Sequence, residues 1–269
     1  MKPTFRIPFA PALIGAAALL LTACNSDFNI TSSSSGVPLA ELDYADATPT
    51  GISLAGPDKV IVTSGDALTI DVEGDPDVTE GLRFDLDDDS LQIGREGNWR
   101  QSGIATIRVT MPTPTRLSMA GSGTIEVDRL GTGEEASVSI AGSGKSSVGR
   151  IDADTLEINV AGSGSLKAAG RAETLDLSIA GAGDLDLRQV EVGNADIAIA
   201  GSGDAVFASN GKIDASIMGS GTVEVIGNAQ CSVSAMGSGE LKCNTRTAAD
   251  SSRDAAPSGG AQAGASEGE

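Results

Sequence analysis

The chain has 269 residues and a net charge of −19, with 40% hydrophobic but only 3% aromatic residues and no histidine at all. Lacking histidine, it has no imidazole general base, no Ser-His or Cys-His nucleophile pair and no His-ligated zinc. The acidic balance opposes nucleic-acid binding, and the length suits one extended domain, because a stacked rod escapes the size limit of a single globular core.

Lys2 and Arg6 open the sequence and are followed by a mostly apolar run through Leu13, Leu19 and Leu20. This pattern predicts a signal peptide over residues 1–23 and not a fold element. Leu21-Thr22-Ala23-Cys24 resembles a bacterial lipobox. The resemblance implies cleavage before Cys24 and acylation of its sulfur and new amino terminus with chains such as palmitate, an anchor that holds a protein stably on a membrane. Asn25 in place of aspartate favours sorting to the outer membrane. Residues 24–50, rich in Ser, Asp and Thr, read as the lipidated cysteine and a flexible tether. No second hydrophobic segment is long enough to span a bilayer.

From Gly51 apolar residues alternate at Val60 and Val62, at Leu68, Ile70 and Val72, at Leu82, Phe84 and Leu86, at Leu91 and Ile93, and at Ile107, Val109 and Met111. Turn residues separate these runs, so they predict short strands, read as an irregular N-terminal coil or β cap over the open end of a rod. Pro112 and Pro114 mark a bend after it. The Asp85, Asp87, Asp88 and Asp89 cluster reads as a solvated turn.

A short phrase then recurs seven times, with first glycines at Gly121, Gly142, Gly162, Gly181, Gly201, Gly219 and Gly237. A period near twenty residues predicts a solenoid. Within each phrase a period of two runs through both glycines, as in Leu117, Met119, Gly121, Gly123, Ile125 and Val127, so each phrase predicts two strands joined at a corner whose inward positions carry no side chain. A phosphate cradle would need a helix after the glycines, and here another strand follows. Each coil can satisfy its backbone only through its neighbours, which predicts an all-β, parallel β-helix-like solenoid of about seven regular coils, a rod of ~34 Å at the spacing of paired strands. Ile158, Leu177, Ile197 and Ala215 should stack on one side of its core, and Leu166, Leu185, Ala205, Val223 and Leu241 on the other, with Phe207 also inward. Ser122, Ser143, Ser163, Ala182, Ser202, Ser220 and Ser238 should form an exposed ridge, a flat contact surface or plain turn chemistry.

The order of a LTIDVEGD strand, a LRFDLDDDSLQI strand pair, ATIRVTMPTPTRLSMAGSG and repeated AGSG phrases resembles the GIN domain family of adhesin heads over about residues 51–243. The resemblance implies a right-handed helical all-β fold in bacterial envelope proteins, often lipoproteins. It carries over no catalytic residue.

Carboxylate chemistry remains, as in glycoside hydrolases that use paired acids in a groove. Asp184, Asp186 and Asp204 gather with outward parity on adjacent coils, which is compatible with such an enzyme, a calcium-binding structural protein or a solvated acidic face. Trp99 and Tyr44, the only Trp and Tyr, lie outside the regular coils, which deprives a sugar groove of aromatic platforms. Cys231 and Cys243 share inward parity on the two arms of the last corner. They make either a disulfide closing that end or two small buried side chains. Residues 245–269 carry almost nothing large and apolar and predict a disordered tail. The domain is therefore expected over residues 51–244, as a non-catalytic binding or structural module without cofactor or metal, held to the membrane through Cys24 and meeting a protein or glycan partner in the bacterial envelope.

Overall fold

The computed structural model describes residues 36–87, 89–96 and 103–244. The expected signal peptide, Cys24, Trp99, Asp88 and the segment 245–269 lie outside these residues. Almost everything described is strand, joined in a single 17-stranded sheet wound on itself.

The first six strands are β1 (Gly51–Gly56), β2 (Lys59–Ser64), β3 (Thr69–Glu73), β4 (Leu82–Leu86), β5 (Ser90–Arg95) and β6 (Thr106–Met111). The regular coils start with β7 (Arg116–Gly121), β8 (Thr124–Leu130) and β9 (Glu135–Gly142). They continue as three long bent strands, β10 (Lys145–Gly162), β11 (Ser165–Gly181) and β12 (Asp184–Gly201). The rod finishes with β13 (Asp204–Ser209), β14 (Lys212–Gly219), β15 (Thr222–Ile226), β16 (Gln230–Gly237) and β17 (Glu240–Asn244).

Every coil pairs in parallel and in register with the next, glycine over glycine. Each has a first face just after its Gly-x-Gly corner and a second face just before the next corner. Between the faces the chain turns a second time, and there the register slips, between Val148 and Ile151, between Lys167 and Ala169, and between Leu187 and Glu191. The unequal repeat lengths are thus absorbed at the second turn, and the tight corner stays constant.

The core forms as the alternation predicts. Ile158, Leu177, Ile197 and Ala215 stack in one column, and Leu166, Leu185, Ala205, Val223 and Leu241 in the other. Phe207 is fully buried. Ser146 stands in that second column between Ile125 and Leu166, its hydroxyl buried without a partner, which costs on the order of 1–3 kcal/mol.

The two corner glycines differ in role, which corrects the expectation that both face inward. The second of each pair, such as Gly203, is buried in every corner but the last, where Gly239 is half-buried, whereas the first is at least partly exposed and has a positive φ. A Cβ on Gly201 (φ +133°) would lie 2.2 Å from the carbonyl oxygen of Gly181 in the coil beneath. The first glycine is therefore demanded by the stacking of backbone on backbone and the second by the narrow interior.

The N-terminal part forms the expected irregular coil and cap. β1 and β2 turn at Gly56 to form one more coil, in register with β7 and β8. β5 and β6 pair in parallel with their other edges, so this coil is sandwiched between segments that follow it in sequence. The antiparallel strands β4 and β3 close the end against β5 and β6, and Val37 exchanges two backbone hydrogen bonds with Phe84. Leu39, Leu42, Tyr44 and Ala47, ahead of β1, also pack on the core.

At the inward position that glycine fills in the other coils, the β1–β2 corner carries Asp58, which is 1% exposed. Its carboxylate accepts hydrogen bonds from the Arg95 guanidinium, itself 7% exposed, and from the backbone amide of Ala105 at 2.7 Å. Arg95 also donates to the Gly103 carbonyl at 3.0 Å. A buried carboxylate is tolerable only when so compensated, and this pair ties the β1–β2 corner to the outermost coil.

Candidate functional site

Outward side chains repeat by column, because registered parallel strands place equivalent residues about 4.8 Å apart. On the first face one column runs Thr124, Lys145, Ser165, Asp184, Asp204, Thr222 and Glu240. Asp184 and Asp204 are thus neighbours, as their parity predicts, and Asp186 lies one column away. The Asp204 carboxylate accepts the Thr222 amide at 2.8 Å, and Asp186 lies 3.5 Å from Arg188. Asp184 and Asp186 border a shallow depression that also holds Lys145 and Lys167, so opposite charges offset one another and no aromatic side chain lines it. Asp87 accepts the Asp89 and Ser90 amides and caps its turn.

The second face is different. Five residues before four successive first glycines, Gly162, Gly181, Gly201 and Gly219, the sequence reads Glu157, Asp176, Asp196 and Asp214, and these stack in one column of four acids on consecutive coils. Beside it runs a column of small residues, Asn159, Ser178, Ala198, Ser216 and Ser234, and beyond that Ala161, Ala180, Ala200, Met218 and Met236. A trough of about 430 Å³ follows, with a Ser/Ala floor and Asp176, Asp196 and Asp214 along one side. Met218 and Met236, in the column beyond the small residues, are 50% and 67% exposed.

Partial burial raises the pKa of Asp176, and the charges of Asp196 and Glu157 raise it further. Asp214 is lowered, chiefly by the hydrogen bond from Lys212, whose ammonium is 2.7 Å away. A carboxyl whose pKa is higher folded than unfolded stabilises the fold only below its ordinary titration range, and that contribution is lost as pH rises through the folded value. Asp176→Asn is therefore expected to raise the melting temperature slightly at pH 7, by about 1 °C, for relief of its partial desolvation and of the like charges of Asp196 and Glu157. The gain should vanish toward pH 3. Equal melting temperatures for the two proteins across that pH range would refute the repulsion.

The acid column was missed in the sequence because its members are scattered 18–20 residues apart. Aligning the phrases on their first glycine exposes it. The predicted ridge is present, with Ser122, Ser143, Ser163, Ala182, Ser202, Ser220 and Ser238 all exposed. The amides of Ser143, Ser163, Ala182, Ser202, Ser220 and Ser238 donate to the first glycine of the coil beneath, which ties the ridge to the stacking itself. Cys231 and Cys243 face each other across the last coil with Cα atoms 6.7 Å apart and are joined through sulfur. Among the described residues no group of three or more acids or cysteines is gathered to hold a metal ion, and no helix is long and apolar enough to cross a membrane.

Solved structures share this fold. One from Parabacteroides distasonis, described as a "putative lipid binding protein", is 21% identical, with a TM-score of 0.57 over 73% of this chain and 93% of its own. Another, a "putative adhesin" from Bacteroides fragilis, is 18% identical, with a TM-score of 0.64 over 73% of this chain and 92% of its own. A third, a "putative adhesin" from Parabacteroides merdae, is 20% identical with a TM-score of 0.50 over 73% and 92%. At these identities the likeness establishes architecture and not ligand. No curated protein matches the chain. Residues 48–229, which span the β1–β2 coil, the cap and nearly all the regular coils, match the family described as "Putative auto-transporter adhesin, head GIN domain", and the chain belongs to that family.

Proposed function

We propose that the chain is a lipid-anchored, non-catalytic binding module of the bacterial envelope that holds a protein or glycan partner against its second face. The observation that carries this reading is the trough itself, a long floor of small hydroxyl and methyl groups edged by a column of acids. Such a surface suits a flat partner bearing basic or hydrogen-bonding groups, because complementary charge steers and orients the encounter. The family description and the adhesin neighbours support surface binding. Acylation at Cys24 would hold the module at the membrane, with residues that follow it as a tether, and the outer membrane is the location we favour. The Cys231–Cys243 bridge would be kept in the oxidising conditions met by an exported protein.

Protease treatment of intact and permeabilised cells, reading an epitope at residue 269, tests where the module acts. Cleavage on intact cells is expected if it meets partners outside. Cleavage only after permeabilisation would rule out contact with other cells and confine binding to the periplasm. In the same cells Cys24→Ala should abolish palmitate labelling and release the protein from the membrane fraction. Retained label would overturn the anchor.

A further inference from the structure

The two ends of the rod are unlike. The N-terminal end is closed by antiparallel strands and by Val37, whereas among the described residues β16 and β17 are the last elements at the C-terminal end, with β16 exposed along its whole length and Val233 half exposed. β16 pairs with β14 and β17 with β15. The amides of Gln230, Ser238 and Glu240 donate to the coil beneath. In a parallel ladder alternate residues point both backbone groups the same way, so the odd-numbered residues, Val233 and Leu241 among them, aim N–H and C=O out of the open end. Such an edge is a template for another strand. Residues 245–269 contain no Val, Leu, Ile, Met or aromatic residue to cover its apolar interior.

We propose that this end binds the same end of a second copy, tail to tail about a two-fold axis. The disulfide sets Cys231 opposite Cys243, so two residues nearer the corner Val233 stands opposite Leu241. A single two-fold axis lying in the end face passes through both. It pairs β16 antiparallel with β16 of the second copy and β17 with β17 of the second copy, and both centres carry free backbone groups of the required parity. β16 bears no charge to repel its symmetry mate. In β17 the same axis sets Glu240 against Lys242 of the second copy, and Lys242 against its Glu240. These two side chains lie 3.2 Å apart within one chain, so the contact joins two ion pairs into a compensated group of four. The end face is a small interface, and association near ~10 µM is expected.

Sedimentation of the full chain in density-matched detergent should give the dimer mass at about 100 µM. Val233→Lys should weaken association at least ~10-fold by placing a charge at the axis. Glu240→Lys and Lys242→Glu should each weaken it, an equimolar mixture of the two should restore it, and so should the double variant. A monomer at that concentration, or a dimer indifferent to Val233→Lys and to the charge reversals, would overturn the proposal. So would a monomer whose Val233 and Leu241 amides exchange slowly and become fast on deletion of residues 245–269, since the tail would then be the cover.

Discussion

Gly201→Val is expected to be the most damaging single substitution in the regular coils. Its φ of +133° is one that a β-branched residue avoids, and its Cβ would sit 2.2 Å from the carbonyl oxygen and 3.0 Å from the carbonyl carbon of Gly181. These are backbone atoms held by the ladder, so no side-chain rotation relieves the clash. Strain at φ > 0 costs about 1–3 kcal/mol and overpacking about 1–3 kcal/mol more. A loss of roughly 3 kcal/mol or more follows, a fall of about 6–12 °C in melting temperature for a domain of this size. Stability along a solenoid is nearly a sum over neighbouring coils, so hydrogen exchange should show the loss centred on the coils from β11 to β14. Ser202→Ala, one residue on at an exposed ridge position, should be nearly silent. Equal stability of the two variants in thermal and exchange measurements would refute the stacking role of the first glycine.

Arg95→Met is the second large effect, and it should act at the other end. Removing the guanidinium leaves the Asp58 carboxylate buried with only the Ala105 amide for compensation. Breaking a buried pair from one side costs about 3–5 kcal/mol, whereas replacing both members by neutral groups of similar volume is far milder. Asp58→Asn combined with Arg95→Met keeps an acceptor for the Ala105 amide and should recover most of the loss. Exchange should quicken over β1, β2, β5 and β6 and stay unchanged over β13 to β17. A double variant no more stable than Arg95→Met alone would show that the arginine acts by packing and not by compensating charge.

The two substitutions probe features of unequal legibility. The corner that Gly201 serves is visible in the sequence as a repeated Gly-x-Gly flanked by alternating apolar residues, although the division of labour between its glycines is not. Parity within a strand is a local property, so it correctly gives Ile158 over Leu177, Leu185 over Ala205 and an inward Phe207. The carbonyl that excludes a Cβ at Gly201 belongs to another coil, and no local pattern reports its distance. The Asp58–Arg95 pair is harder still, with partners 37 residues apart in a region whose strands do not pair in sequence order. The phrase SLAGPDKVIV does resemble the later repeats, yet with aspartate where they carry the second glycine it gives no sign of closing a buried ion pair.

Sequence alone determined the all-β solenoid, its period, its core columns and its ridge, because side-chain alternation and repeat length are fixed by residues close along the chain. Only the tertiary structure decided that the β1–β2 coil lies between β5–β6 and β7–β8, that four scattered acids align beside a trough, and that one end is closed while the other is open. Among the described residues each of these, the open C-terminal end included, depends on which strand edges find one another, and edge pairing is settled by backbone hydrogen bonds between segments far apart in sequence.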